Sequence, residues 1–431
     1  MSLALIITLI VFGLLMFFSI PLTFAMLLSS ILYFLISGKS LYLVAHRVFT
    51  GIDVFTLMAI PFFILAAELM VYSGTAEKLL SFSNLLVGRF KGGLAYVNVL
   101  ASMLFGGCSG SAVADVAGLG LLEIKMMEKG GYDRAFSTAL TISSSIQGPI
   151  IPPSIMMVLL GALTGTSIGG LLLGGAIPGI LVGLAQCSVI FFLGRKKKYP
   201  LIKESYSFHD IVIIILTSIP FLLMPIIIIG GIISGFFTPT EASAVAVAYG
   251  FILTIIAKKG MVRIKELLPI FTRSSVVSAS ILMLAAASNV FGWILATEKI
   301  PEMLTRAVLN VTQNRYIILL IINCFLLMWG MFMDSTPAIF ILAPILFPLG
   351  VSVGMDPIHF GVVMGFNLVI GLITPPYGVA LFTGTIVSGI PMEKLIKELI
   401  PFISASIAIL LLITYVPEIV MFLPKLFKLH I

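Results

Sequence analysis

The chain has 431 residues, of which 60% are hydrophobic and 10% are charged, and its formal net charge is +7. Soluble domains carry roughly 25% charged residues, so this composition excludes a water-soluble globular protein, a disordered chain and a nucleic-acid-binding protein. We therefore expect an all-α polytopic membrane protein, with the excess of basic residues in cytoplasmic loops.

Long apolar segments follow one another along the whole chain. A spanning helix needs about 20 apolar residues, and the start of the chain lacks the basic region and cleavage site of a signal peptide. The first segment is long enough for one tilted span or for two short ones hinged at Pro21. The predicted spans are Leu3–Ile36, Val54–Val71, Tyr132–Thr164, Ile168–Leu193, Ile211–Phe237, Ala242–Ile256, Val276–Thr297, Pro357–Val387 and Phe402–Leu423.

Two further segments, Leu94–Met127 and Tyr316–Val351, each consist of two apolar arms around a small polar break. Arms of about 14 residues are too short to cross a bilayer, so we predict two re-entrant helical hairpins that enter and leave on one side. The amphipathic stretches Thr75–Arg89 and Glu298–Gln313 precede them. Either stretch is a helix lying along the interface or an ordinary surface helix between spans.

The sequence contains an internal repeat. A span broken by a double proline follows each hairpin, and Pro152 and Pro375 are separated by 223 positions, as are Ser111 and Asp334 at the hairpin breaks. We predict two halves, 1–194 and 211–431, joined by a basic cytoplasmic linker, 195–210. Placing the linker in the cytoplasm leaves most of the 25 Lys and Arg residues on that side, which predicts inverted halves.

Each half is predicted to contain the same parts in the same order. The first has scaffold spans at 1–74, an interfacial arm at 75–90, the hairpin at 94–127, the broken span at 132–164 and a span at 168–193. The second has spans at 211–297, an arm at 298–313, the hairpin at 316–351, the broken span at 357–387 and a last span at 402–423.

Broken helices at matching positions of two halves indicate a transporter's binding site. Exposed carbonyls and hydroxyls can replace the water around Na⁺, and the positive end of a half-helix can hold an anionic group. Two clusters therefore become candidate ion or substrate sites. The first comprises Ser109, Gly110, Ser111, Ser143, Ser144, Ser145 and Gly148 beside Pro152 and Pro153; the second comprises Asp334, Ser335, Thr336, Asn367, Gly371 and Thr374 beside Pro375 and Pro376.

Alternatives stay open for both clusters. Small residues in the first also suit close helix packing, and Asp334 also suits the cap of the following half-helix. Asp115 and Glu68 lie at membrane depth as well. Each is a candidate proton site or pocket group, or the neighbour of a water-filled crevice.

Chemistry other than transport finds little support in the sequence. Gly107-Cys108-Ser109-Gly110 matches the GxSG string of intramembrane serine proteases, but that chemistry needs a base within reach of the serine, and no His lies in the middle of a span. The three cysteines and four histidines are scattered, which indicates no disulfide and no transition-metal site. A channel is a further alternative, disfavoured by a site enclosed between two hairpins.

Six segments together resemble the large membrane subunit of tripartite ATP-independent periplasmic (TRAP) transporters. The resemblance covers nearly the whole chain, and the order and spacing of the segments make it specific. The segments are Leu57–Gly74, Gly106–Gly120, Gly148–Met157, Gly235–Gly250, Met333–Gly350 and Gly361–Phe382.

The resemblance implies a Na⁺-driven importer of organic acids, such as C4-dicarboxylates, sialic acid or sugar acids, in a bacterial or archaeal inner membrane. It implies two partners, a small membrane subunit of about four spans and an extracytoplasmic solute-binding protein, and an elevator motion of the hairpins. Na⁺ would be the coupling ion, with no other cofactor. A stand-alone ion-coupled carrier of the same superfamily, which needs no binding protein, is the alternative.

The resemblance also implies two Na⁺ sites. The first would involve Ser109–Ser111, the Ser143–Ser145 run and Gly148, and the second would involve Asp334–Thr336, Gly371 and Thr374. Asp115 departs from the family pattern. No Lys or Arg lies at either hairpin tip, so half-helix ends and hydroxyls, or Arg134 or Arg47, would have to hold an anionic substrate.

Overall fold

The computed structural model describes residues 2–197, 199, 206–258, 260 and 262–429. The predicted linker 195–210 therefore lies in part outside the described residues. In the first half, the described chain forms α1 (Leu3–Phe17), α2 (Leu22–Ile36), α3 (Tyr42–Ile52), α4 (Ala59–Tyr72), α5 (Thr75–Val87), α6 (Gly93–Ser109), α7 (Ala112–Ala117), α8 (Leu119–Lys129), α9 (Arg134–Ser144), α10 (Ile155–Thr164) and α11 (Ile168–Lys197). Short 3₁₀ helices, Phe55–Met58 and Ser145–Gln147, precede α4 and follow α9.

The second half is also helical. Its described residues form α12 (Phe208–Ile233), α13 (Pro239–Ala257), α14 (Ile264–Thr297), α15 (Ile300–Val311), α16 (Arg315–Gly330), α17 (Ser335–Ser352), α18 (Pro357–Gly371), α19 (Val379–Ser388), α20 (Met392–Tyr415) and α21 (Pro417–Leu426).

Seven helical segments of the described chain are long and apolar enough to cross a membrane: Phe55–Tyr72, Ile168–Arg195, Phe208–Ile233, Pro239–Ala257, Ile264–Thr297, Ser335–Ser352 and Met392–Tyr415. Ser335–Ser352 is the second arm of the second hairpin, and its 18 residues exceed the length predicted for an arm. The described residues contain helices and no strand. The prediction of an all-α polytopic membrane protein is confirmed.

The first apolar segment takes the form of two short helices. α1 and α2 have 15 residues each, about 22 Å at 1.5 Å per residue, which is less than the roughly 30 Å of a hydrocarbon core. Pro21 stands at the N-cap of α2, where its missing N–H costs no helical hydrogen bond. Of the two alternatives for this segment, the structure has the pair of short helices.

Both hairpins turn at the polar breaks. Gly110 ends α6 with φ +62°, a left-handed conformation that glycine adopts without steric cost. Ser111 then caps α7, because its hydroxyl accepts a hydrogen bond from the Ala114 amide. In the second hairpin, Asp334 caps α17 by accepting from the Thr336 amide at 2.9 Å.

The broken spans lie at the centre of the bundle. Every residue from Ile358 to Gly371 of α18 is buried, as is every residue from Phe136 to Ser144 of α9; a helix that is buried on all sides belongs to a core. Both helices end before the double prolines, whose rings and missing N–H groups interrupt a helix.

Pairs of glycines let each hairpin approach its broken span. A Cβ on Gly106 would lie 2.6 Å from the Cα of Gly148, and a Cβ on Gly371 would overlap the backbone of Gly330. Gly148 and Gly371 are separated by the same 223 positions as the double prolines. The repeat in the sequence therefore coincides with a repeated close contact of helix ends.

Gly371→Ala should destabilise the protein, because the new methyl group meets backbone that cannot rotate away. Overpacking of this kind costs about 1–3 kcal/mol, and we expect a lower melting temperature in detergent. Gly230→Ala is the matched control: Gly230 lies inside α12 with nothing within 4 Å of an added Cβ. Equal melting temperatures for the two variants would contradict the close contact.

Three regions of the described chain differ from the predicted segments. α14 begins at Ile264 rather than Val276, because Arg273 and the charges before it end the apolar run in the sequence without ending the helix. The predicted last span, Phe402–Leu423, is divided into α20 and α21 before Pro417, which starts α21 and has no N–H to continue α20. α3, for which no helix was predicted, packs against α14.

Candidate functional site

The two hairpin tips meet in one cavity of about 560 Å³. One wall is formed by the tips, Ser109–Ser111 and Asp334–Thr336, together with parts of the broken spans such as Pro149 and Leu372. α4 and α14 also contribute to the lining, through residues such as Glu68 and Arg273. Segments that are more than 200 residues apart in the sequence therefore enclose a single space.

The predicted site residues divide into two groups. The residues that line the cavity are Ser109, Gly110, Ser111, Asp334, Ser335, Thr336 and Glu68. The residues that do not line it are Ser143, Ser144, Ser145, Gly148, Asn367, Gly371, Thr374, Asp115, Pro152, Pro153, Pro375 and Pro376.

The hydroxyl of Ser109 stands at the first tip without a hydrogen-bond partner, although the residue is only 5% exposed. Buried polar groups nearly always have a partner, so an unpaired one needs an explanation. An ion or substrate in the cavity would supply the missing partner.

Asp334 caps α17 and also borders the cavity. Its Oδ1 accepts from the Thr336 amide, which matches the capping alternative. A carboxylate has about four acceptor positions, so this cap leaves it able to bind a cation as well. Capping and ion binding are therefore compatible at Asp334.

The hydroxyls of the three serines in the first broken span all form hydrogen bonds within the protein. Gln186 of α11 donates to the carbonyl and hydroxyl of Ser143, at 2.8 and 3.0 Å. The Ser144 hydroxyl donates to Asn98 of α6 at 2.9 Å, and the Ser145 hydroxyl donates to the Ile142 carbonyl at 2.8 Å. The side chains of Ser143 and Ser144 thus hold the broken span to its neighbours, whereas Ser145 bonds within its own span.

The second half repeats this arrangement. Asn367, 223 positions after Ser144, donates from Nδ2 to Oδ1 of Asn323 on α16 at 2.8 Å. Asn323 in turn donates to Thr414 of α20 at 3.1 Å. In each half a polar side chain of the broken span is thus bonded to the first arm of the hairpin, which makes hairpin and broken span one packed unit.

Arg273 is the cavity residue that the sequence analysis missed. Its guanidinium Nη1 lies 3.7 Å from Oε2 of Glu68, and its side chain is 73% exposed. Arg273, Val277 and Ile281 all line the cavity and recur every four residues, which places them on one face of α14. That spacing would have revealed Arg273 had the predicted helix been extended toward the N-terminus.

Arg47 and Arg134, the two arginines proposed for an anionic substrate, lie elsewhere. The Arg47 guanidinium is 5.6 Å from the centre of the Trp293 ring. Arg134 Nη1 is 3.4 Å from Oε1 of Glu128. Neither lines the cavity, so Arg273 replaces them as the candidate for binding a substrate anion.

Comparisons with known proteins fit this architecture. Residues 9–419 match the family described as "Tripartite ATP-independent periplasmic transporter, DctM component". The chain is 38% identical over 417 residues to the sialic acid TRAP transporter large permease protein SiaM of Vibrio cholerae, covering 96% of both chains. It is 38% identical over 391 residues to the C4-dicarboxylate TRAP transporter large permease protein DctM of Pseudomonas aeruginosa, covering 91% of both.

A solved structure has the same general fold. The crystal structure of the Alcanivorax borkumensis YdaH transporter matches with a TM-score of 0.56 and 14% sequence identity, over 84% of this chain and 86% of that one. At this identity the likeness concerns the fold alone.

Proposed function

The chain belongs to the DctM family of TRAP transporter components, and from this premise we propose that it is the large permease of a Na⁺-coupled importer of small organic acids. It is a multi-pass membrane transport subunit and not an enzyme. The observation that carries the proposal is the single cavity bounded by both hairpin tips and faced by Arg273.

The substrate class is supported by the cavity's charge and size. Arg273 offers a planar guanidinium suited to a carboxylate, and the positive end of the 18-residue helix α17 also borders the cavity. A volume of about 560 Å³ lies in the usual range for small-molecule pockets. Sialic acid and the C4-dicarboxylates, which the names of the two large permeases specify, are carboxylates.

Coupling to Na⁺ is supported by the oxygens at the two tips. The first tip offers the unpaired Ser109 hydroxyl and the second offers the carboxylate of Asp334 beside the buried Ser335. Hydroxyl, carbonyl and carboxylate oxygens are the ligands that hard cations prefer. Na⁺ bound at both tips would favour the conformation in which the tips close on the substrate, because a ligand shifts an equilibrium by its differential affinity.

An elevator motion is supported by the hydrogen bonds between the hairpins and the broken spans. Hydrogen bonds join each hairpin to its broken span, through Asn98 and Ser144 in one half and Asn323 and Asn367 in the other. Glu68 and Arg273, which also line the cavity, belong to α4 and α14. The hairpins and broken spans would move as one body against α4 and α14.

Two protein partners complete the proposal. The family is described as tripartite and periplasmic, which supports a small membrane subunit of about four spans and an extracytoplasmic solute-binding protein. The same description supports the inner membrane of a bacterium or archaeon as the location. The stand-alone carrier, which needs no binding protein, is the second candidate.

Uptake into proteoliposomes tests the proposal. The chain would be reconstituted with the small subunit, and sialic acid or succinate would be offered with and without the binding protein. We expect uptake only with an inward Na⁺ gradient and the binding protein. Uptake that does not need the binding protein would support the stand-alone carrier, and equal uptake with a K⁺ gradient would contradict Na⁺ coupling.

A further inference from the structure

Two acidic side chains are buried inside the first hairpin and do not line the cavity. Asp115 on α7 is 1% exposed and Glu123 on α8 is 0% exposed. The two carboxyl groups interact electrostatically, and the Ser102 hydroxyl of α6 is a neighbour of both. Glu123 did not figure in the sequence analysis, because the second arm of the hairpin is amphipathic and its buried face cannot be recognised from one charge.

Few hydrogen-bond donors surround the pair, and they come from the hydroxyls of Ser102 and Thr141. Asn98 Nδ2 lies 2.6 Å from Thr141 Oγ1, and the Ser144 hydroxyl is 2.9 Å from Asn98 Oδ1. The Ser102 hydroxyl is 2.9 Å from that of Ser144 and 3.4 Å from Oε1 of Glu123. A hydroxyl has a single proton to donate, so the hydroxyls of Ser102 and Thr141 cannot satisfy the four oxygens of two carboxylates.

Three carboxylate oxygens are consequently left without a partner. Both oxygens of Asp115 and Oε2 of Glu123 are buried and form no hydrogen bond. A buried charge without compensation is costly, and two like charges in one apolar site increase that cost. The site is rich in oxygen and poor in donors, which is the chemistry of a cation site.

No positively charged side chain in the described part of the chain compensates the pair. On α8, Lys125 and Lys129 are exposed, and Glu128 is paired with Arg134 of α9. Glu77 and Lys78 of α5 are exposed too, and α19, which packs against α7, carries no charged residue. The compensating charge therefore has to come from solution.

We propose that Asp115, Glu123 and Ser102 bind a Na⁺ ion, in addition to the ions at the two hairpin tips. The proposal rests on the Na⁺ coupling proposed above. The ligands come from α6, α7 and α8, so the ion joins both arms of the first hairpin. Ala112, Val113 and Ala114 of α7 line the cavity, and occupancy of this site consequently stabilises the wall that faces the substrate.

Equilibrium binding of ²²Na⁺ to the purified complex with the small subunit tests the proposal, through the number of ions bound per chain at saturation. Glu123→Gln keeps the size of the side chain and its ability to hydrogen-bond, and we expect it to lower that number by one. Asp115→Asn should do the same. Glu128→Gln, on the same helix but at the surface, is the matched control and should leave the number unchanged.

The possible results separate this proposal from the general one. If both Glu123→Gln and Asp115→Asn bind the same number of Na⁺ ions per chain as the unmodified complex, the buried site is refuted, while the proposal for the tip sites stands. An unchanged number together with a loss of pH dependence assigns the pair to a proton, and likewise overturns the Na⁺ site. Absence of any Na⁺ binding by the unmodified complex refutes Na⁺ coupling itself.

Discussion

Arg273→Ala is expected to lower the uptake of a carboxylate substrate about 10- to 100-fold, mainly through a higher KM. A hydrogen bond to a charged group contributes about 1.5–3 kcal/mol, and each 1.4 kcal/mol is a factor of ten in affinity. Arg273→Lys should retain part of the activity, because lysine keeps the charge but loses the bidentate geometry. Initial rates of uptake measured over a range of substrate concentrations give the KM of each variant.

Two controls distinguish substrate binding from a structural ion pair. Glu68→Gln removes the ion pair with Arg273 but keeps the guanidinium in the cavity, so we expect uptake to be largely retained. Lys265→Ala changes an exposed charge at the start of the same helix and should have little effect. An equal loss of uptake in Arg273→Ala and Glu68→Gln would mean that Arg273 acts through its ion pair with Glu68 and does not bind the substrate.

Asp334→Asn is expected to reduce Na⁺-dependent uptake at least about tenfold, by the same scale of charge-assisted interaction. Asparagine is as good an N-cap as aspartate, so the cap of α17 remains and the negative charge is lost. The variant thereby separates the two roles that the structure gives Asp334. The dependence of uptake on Na⁺ concentration is the measurement.

The expected result is a folded variant with an unchanged melting temperature in KCl and a strongly weakened response to Na⁺. Asp334→Ala, which removes the cap as well, should lose about 1 kcal/mol of stability in addition. Normal Na⁺ dependence in Asp334→Asn would show that capping is the only role of this residue.

The hairpins and broken spans could be predicted because their signals are local. Gly110, Ser111 and Asp334 have the backbone freedom or capping oxygen that a turn between half-helices requires, and a double proline interrupts a helix wherever it stands. These features depend on a few neighbouring residues and are repeated in both halves of the sequence.

The direction of individual side chains could not be predicted in the same way. Ser143, Ser144 and Ser145 are consecutive, so they project toward different sides of the helix, and their partners on α6 and α11 are distant in the sequence. The sequence grouped all three as candidate ligands. In the structure, the hydroxyls of Ser143 and Ser144 are bonded to side chains of these neighbouring helices instead.

Arg273 and Glu123 were missed for a related reason. A charged residue ends an apolar run, and the predicted span started at Val276 for that reason, although α14 continues through Arg273 from Ile264. Glu123 lies among other charges of α8, and only tertiary packing distinguishes it from the exposed Lys125. A charged residue within the membrane indicates function, but only the tertiary structure shows which charged residues lie there.

The most direct test of Na⁺ binding is the melting temperature of the purified chain in NaCl and in KCl at equal ionic strength. A ligand at 100 times its dissociation constant stabilises the folded state by about 2.7 kcal/mol, so we predict a higher melting temperature in NaCl. This difference should shrink in Asp334→Asn. Equal melting temperatures in the two salts, for a protein that is folded in both, would contradict Na⁺ sites in this chain.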